Sequence, residues 1–174
     1  VAGCDKQTTI KIAEIYKSIP GIKVKTVASI KVAEAAKLME NSQRDLLIAF
    51  ANEYSEFCTQ IGININDVIV AASTKWNFSQ VYPGLVGGHC ISVDPYYLLQ
   101  KAFDIGLQLP LVSTARIVNE NKVSKVVNRF VDKLREADVP NENNKILIIG
   151  FSYKKNCADI RNTKVANLVK GLEN

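Results

Sequence analysis

The chain has 174 residues, 47% of them hydrophobic and 22% charged, the balance of a soluble globular protein. No apolar run approaches the roughly 20 residues that a membrane span needs, and the formal net charge of +5 is spread without a basic run, which argues for anionic small molecules weakly and against nucleic acid. Cys4, Cys58, Cys90 and Cys157 stand far apart with no CxxC pair, so neither a zinc site nor a disulfide framework is expected, and a reduced, cytoplasmic setting fits best.

Val1-Ala2-Gly3-Cys4 has neither the basic nor the apolar segment of a signal peptide, and the chain reads as the middle of a longer protein. Val1 to Gly3 reads as the end of a strand. Asp5 is placed to cap a helix over about 7–18, with Ile10, Ile12, Ala13, Ile15 and Tyr16 on its apolar face. Pro20-Gly21 is a turn, and 23–29 alternates as a strand does, giving a βαβ-like opening. A long, broadly apolar helix follows over about 31–61, ended by Gly62. Its polar residues Lys37, Asn41, Arg44 and Asp45 fall at i, i+4, i+7 and i+8, hence on one face. Such a stripe is either solvated or, on a buried helix, paired or turned to a polar ligand.

Asn64 or Asn66 caps a short helix over 67–74, and 75–81 is irregular. A helix over 95–105 ends at Gly106, and a second long helix covers 111–136, with Ile117, Val118, Val123, Val126, Val127, Phe130, Val131 and Leu134 at helical spacing. Residues 140–144 form a polar linker. The run Lys145 to Phe151 has the pattern of a buried parallel strand opening a new α/β unit, and a last helix covers 163–172.

Between Gly84 and Tyr97 lies the stretch richest in chemistry, GLVGGHCISVDPYY. Paired glycines allow a tight turn and close approach of a ligand to the backbone. A cysteine behind them is a candidate nucleophile, or else a buried cysteine in a tight turn. Asp94-Pro95 reads as a helix start with Asp94 as N-cap, and Asp94 is also a candidate for steering water near Cys90. His89 is the sole histidine and directly precedes Cys90, so it is a poor base for that thiol, and no two-histidine metal site exists in the chain. No metal is expected. Lys37, on a mostly apolar helix, is a candidate acid/base or oxyanion stabiliser. The chain has no GxGxxG; Gly150 after an apolar run is too little to define a dinucleotide site.

Three stretches, in this order, resemble the UDP-sugar 6-dehydrogenases, enzymes that oxidise a sugar 6-hydroxyl to a carboxylate with NAD. They are Ala33 to Asp45 with Phe50-Ala51-Asn52-Glu53, then Pro83 to Pro95, then Ile149 to Asn156 with Asp159-Ile160-Arg161-Asn162. The resemblance implies an α/β family protein of which this segment is mostly α-helical, a central helical dimerisation domain with incomplete Rossmann-like pieces at both ends. The implied divisions are 1–29 as the tail of an NAD-binding domain, 30–139 as the central domain with the cysteine loop, and 140–174 as the start of a UDP-binding domain. It implies that Cys90 is the nucleophile, that Lys37 and Asn41 stabilise oxyanions and position water, and that Asp94 assists the second half-reaction. Arg44, Gly87, Lys154 and Arg161 are implied on the substrate, Arg161 also as a cofactor contact, with the main NAD site outside the chain. Lys75 matches a partner-subunit position more loosely.

The implied reaction runs from UDP-sugar to aldehyde, to a Cys90 thiohemiacetal, to a thioester, and by water to the uronate, in a homodimer without nucleic-acid or membrane partners. Lys75-Trp76-Asn77-Phe78 and the Gly-Gly-His-Cys loop look most like the branch acting on UDP-N-acetylhexosamines (GlcNAc or GalNAc), with the UDP-N-acetylmannosamine branch close behind and UDP-glucose further off. The competing expectation is a non-catalytic helical dimerisation fragment. The chain alone is expected not to turn over substrate.

Overall fold

A computed structural model describes residues 1–139 and 145–173; the expected linker at 140–144 lies outside them. The described residues form six α-helices and no strand: α1 (Lys6–Lys17), α2 (Ile30–Gln60), α3 (Ile65–Ala72), α4 (Asp94–Asp104), α5 (Pro110–Glu136) and α6 (Lys164–Glu173). The chain divides into two compact units, Val1–Asn41 and Ser42–Asn174.

In the first unit Asp5 caps α1 as expected: its side chain accepts from the Thr8 N–H, with extended backbone at φ −143°. Only Ala13 of the α1 apolar face is buried, while Ile10, Ile15 and Tyr16 stay exposed. The strands expected at 1–3 and 23–29 do not form as such. What remains is one rung: the Val1 amine donates to Lys25 O at 2.6 Å and Val27 N donates to Val1 O at 3.1 Å, the bonding pattern of a parallel pair around Val1 and Thr26. A strand exists only through its neighbours, and a single rung is too little pairing to define one. Ser29 opens α2, its Oγ accepting from Val32 N at 3.3 Å.

In the second unit α2 ends as the sequence foretold. Gly62 takes φ 73°, Gly62 N donates to Thr59 O and Ile63 N to Cys58 O, the pair of bonds that closes a helix through a left-handed residue. Asn64 rather than Asn66 caps α3, accepting from Asn66 N. Helix α5 packs against α4 and α6. The strand expected over 145–151 is absent, for the same reason as at 23–29: this apolar run has no paired neighbour among the described residues, and Ile149 and Leu147 are exposed.

The burial of α2 departs most from hydropathy. Within the second unit its buried positions include Ser42, Asp45, Asn52 and Ser55 beside Ala49, Ala51 and Cys58, while Phe50, Tyr54 and Phe57 are exposed. Helix α5 does likewise: Arg116 and Asn119 are buried and Ile117 is 61% exposed. The expected polar stripe is thus split, with Asn41 and Asp45 buried and Lys37 and Arg44 exposed, and buried polar groups of this kind call for hydrogen-bond partners.

Candidate active site

Cys90 sits in a tight turn whose carbonyl is used twice: Val93 N and Asp94 N donate to Cys90 O at 3.0 and 2.8 Å. This pulls Asp94 into the helix one residue earlier than expected. Val93 is the N-cap, without a side-chain cap bond, and Asp94 and Pro95 occupy the first helical positions. Asp94 is therefore not an N-cap. Ser92 Oγ closes the turn on Gly88 O. The Cys90 thiol is exposed.

A second segment, 151–164, lies against this loop. Gly88 N donates to Asn162 O at 3.3 Å. A Cβ on Gly87 would fall 2.9 Å from that same carbonyl oxygen, and one on Gly88, at φ 81°, would meet the Tyr153 ring at 3.1 Å. The two glycines are what let the segments touch. Gly87→Ala is expected to push them apart and to cost about 1–3 kcal/mol, the usual penalty of overpacking, read as a lower thermal midpoint; an unchanged midpoint would contradict the contact.

His89 stacks edge-on to Tyr153, centroids 6.2 Å apart, and its Nδ1 lies 3.9 Å from Asp159. Asp159 is gripped by Arg161 through Nε at 2.9 Å, Nη2 at 2.6 Å and the backbone N–H at 3.0 Å. The Arg161 side-chain bonds first, then its N–H, with a smaller pull from His89, hold the Asp159 carboxyl far below the usual carboxylate range. Desolvation first, then Cys157, Asp159 and Cys90, raise the Tyr153 phenol. Thr163, buried, ties the segment to itself by donating to Phe151 O at 2.6 Å.

Beneath the loop is a buried polar cluster. Asn52 bonds the Gly84 backbone on both sides, Nδ2 to Gly84 O at 3.0 Å and Gly84 N to Asn52 Oδ1 at 2.9 Å. Asn52 Nδ2 also donates to Asn119 Oδ1 at 3.0 Å. Asn119 Nδ2 donates to Asp45 O and Oδ1 at 2.9 and 2.7 Å. Arg116 Nη1 reaches Asp45 Oδ1 at 2.6 Å and Ile91 O at 3.4 Å, and Nη2 reaches Glu120 at 2.6 Å. The Arg116 guanidinium lies 5.5 Å from the centre of the Tyr96 ring. Burial pushes the Asp45 carboxyl up, opposed by the Arg116 charge and by Asn119.

Of the expected site residues, the structure brings Cys90, Gly87 and Arg161 into two touching segments. Asp94 starts α4 directly behind the Cys90 turn. Lys154 lies in the second segment, exposed; Arg44 is exposed on α2, and Lys75 is exposed after α3. Lys37 and Asn41 belong to the first unit, Lys37 exposed and Asn41 buried. Sequence reasoning passed over Arg116, Asn119 and Glu120, and quoted Asn52, Tyr153 and Asp159 only as parts of matching stretches, without a role. The signal for Arg116, Asn119 and Glu120 was their i, i+3, i+4 spacing on α5, passed over in favour of the apolar residues beside them.

Residues 31–121 match the UDP-glucose/GDP-mannose dehydrogenase family, central domain. The chain is 42% identical over 171 residues to a UDP-N-acetyl-D-glucosamine 6-dehydrogenase of Salmonella typhi, covering 98% of this chain and 40% of that one. It is 43% identical over 169 residues to the enzyme of the same name from Pseudomonas aeruginosa, covering 95% and 40%. Among solved structures, a UDP-D-ManNAc dehydrogenase from Pyrococcus horikoshii superposes with a TM-score of 0.87 at 28% identity, covering 99% of this chain and 40% of that one. The chain thus spans about 40% of the length of these relatives.

Proposed function

The chain belongs to the UDP-glucose/GDP-mannose dehydrogenase family, and from that premise we propose that it is the central part of an NAD-dependent UDP-N-acetylhexosamine 6-dehydrogenase that makes a uronate precursor of surface polysaccharide. The observation that carries this reading is the exposed Cys90 thiol on a turn whose carbonyl caps the start of α4 and whose glycines are packed under Tyr153 and Asn162. The relatives' names support the sugar class. The UDP-N-acetylmannosamine reading is favoured by a different observation, the TM-score of 0.87 to a structure of that name.

The oxidant in the proposed reaction is NAD, which accepts two electrons at each of two oxidations. The described residues do not themselves suit a dinucleotide. Gly150, at φ 92°, follows no strand, and no helix begins until Lys164, so there is no glycine-rich strand–helix turn here to cradle a diphosphate. The proposed NAD site lies outside this chain.

What this chain's residues contribute is the sulfur chemistry. The Cys90 thiolate forms a C–S bond to the C6 carbonyl carbon, and the carbonyl π pair moves to oxygen as a tetrahedral oxyanion. By their place in the family pattern, Lys37 and Asn41 are the proposed hydrogen-bond donors to such an oxyanion. After the second oxidation C6 is a thioester. Water adds to it, the C–S bond breaks, and the thiolate returns with the carboxylate as product; Asp94 is the proposed group that orients this water. Gly87, Arg44, Lys154 and Arg161 are the proposed contacts to the UDP-sugar. Domain limits at 29/30 and 139/140 and a cytoplasmic setting, in keeping with four free cysteines, are part of the same proposal.

The deciding experiment gives the full-length protein UDP-GlcNAc, UDP-GalNAc, UDP-ManNAc and UDP-glucose in turn and follows NAD reduction. Two reduced cofactors per sugar with one of them supports the reading and names the substrate. No reduction with any, from folded protein, leaves a helical dimerisation fragment as the standing alternative.

A homodimer is proposed through the exposed apolar side of the second unit, where Leu47, Phe50, Tyr54, Ile65, Ile69 and Phe78 line a groove of about 360 Å³. Phe50→Glu is expected to turn the dimer into monomer by light scattering, because an unpaired carboxylate cannot be buried there cheaply. A variant that keeps the parent mass would remove this face from the interface.

A further inference from the structure

The loop that carries Cys90 is held at two points, Gly84 and Ile91, by residues to which the resemblance assigned no role. Asn52 takes both backbone groups of Gly84, and Arg116 takes the carbonyl of Ile91. The two holders are joined below the loop through Asn119 and Asp45, so Gly84, Asn52, Asn119, Asp45, Arg116 and Ile91 form one continuous chain of hydrogen bonds. Asp45, Asn52, Arg116 and Asn119 are each no more than 2% exposed.

Arg116 has a second arm. Its other Nη reaches Glu120, and Glu120 is also bonded by Lys164. Lys164 follows Asn162 and Thr163, and it is the Asn162 carbonyl that accepts from Gly88. Both routes to the cysteine loop, from below through Asp45 and from the side through Glu120 and Lys164, therefore meet at one guanidinium. Arg116 also faces the Tyr96 ring in the first turn of α4.

We propose that Arg116 is the positioning residue of the cysteine loop: its planar fork fixes the loop's lower anchor and the 162–164 segment in one register, and thereby the direction of the Cys90 sulfur. This rests on the proposed role of Cys90 as nucleophile. A guanidinium is suited to the task because it bonds two carboxylates and a carbonyl in fixed directions, where an ammonium acts as a point charge. Arg116 itself touches no reacting atom. Its effect is on where the thiolate stands when the aldehyde carbon arrives, a geometry in which a shift of about 1 Å costs on the order of 10²-fold in rate.

The test is made in the full-length protein with Arg116→Lys, which keeps the charge and removes the fork. At saturating substrate kcat is expected to fall about 10- to 100-fold with KM within about threefold, since positioning of the nucleophile and not substrate affinity is lost. A folded Arg116→Lys with kcat within about threefold of the parent overturns the proposal, and so does a raised KM with unchanged kcat. Glu120→Gln, at a half-buried site, is the second variant should Arg116→Lys not fold. It cuts only the side arm and is expected to lower kcat about three- to tenfold with KM unchanged; an unchanged kcat overturns the side arm and, with it, the single-hub reading. If the parent reduces NAD with no UDP-sugar, the function reading has failed by itself. Amide exchange then decides the positioning role: the peptide spanning 84–91 should exchange at least about threefold faster in the variants than in the parent, and equal exchange refutes it.

Discussion

Cys90→Ser in the full-length protein is expected to lower the steady-state rate of NAD reduction by roughly 10³-fold or more with UDP-GlcNAc or whichever UDP-sugar the parent accepts. A serine hydroxyl is not ionised near neutral pH, and His89, directly before it in the chain, has its Nδ1 3.9 Å from Asp159, a carboxylate already engaged by Arg161. Because the first oxidation precedes sulfur attack, the stoichiometry is expected to fall as well, from two reduced cofactors per sugar to at most one. Retention of more than about a tenth of the parent rate would take the nucleophile role away from Cys90. Cys4 and Cys157 are the built-in comparison, since Cys4 is exposed and Cys157 half-buried; their serine variants are expected to keep the two-per-sugar stoichiometry.

Asp45→Ala is expected to have the largest effect on stability. It removes the carboxylate between Arg116 at 2.6 Å and Asn119 at 2.7 Å and leaves a guanidinium that is 2% exposed facing no counter-charge on that side. Breaking a buried pair from one side typically costs about 3–5 kcal/mol, which in a chain of this size lowers a thermal midpoint by about 6–20 °C. The cost is raised at Arg116, whose buried Nε already has no hydrogen-bond partner, so that the loss of Asp45 leaves the guanidinium with still fewer bonds to offset its desolvation. A midpoint within about 2 °C of the parent would mean that the cluster is wetter than its burial indicates. Asp45→Asn keeps the shape and an acceptor, and is expected to fall between the two.

How far the sequence disclosed this arrangement depends on the range of each interaction. The cysteine loop was legible because its determinants are neighbours: two glycines, the cysteine and Asp94-Pro95 within nine residues dictate a tight turn into a helix. Asp5, Asn64, Gly62 and Gly106 likewise act on the turn beside them, and α1 to α6 came out close to their expected limits. Asp94 was misplaced by one position because Cys90 O, not the Asp94 side chain, takes the first free N–H groups. The cluster was illegible because its partners are far apart in the chain, Asn52 on α2 and Arg116 on α5, and no local pattern reports that they meet. Hydropathy was misleading on those same helices. It assigns Phe50 and Ile117 to the interior and Asn52 and Arg116 to the surface, and the structure has them the other way round. Strands were expected at 23–29 from alternation and at 145–151 from an apolar run, and neither forms among the described residues, because such a segment becomes a strand only beside another.

The inverted burial of α2 and α5 bears on how the protein holds together at all. A unit whose interior pairs a hydrogen-bonded cluster with mostly small apolar side chains such as Ala49, Ala51, Ala102 and Ala115, and whose outer side carries Phe50, Tyr54 and Phe57, leaves much of its apolar free energy ungained until that side is covered. Where a second copy does the covering, folding and association are one equilibrium, and by mass action the unfolding midpoint climbs with protein concentration. For such a molecule dilution is itself a denaturant.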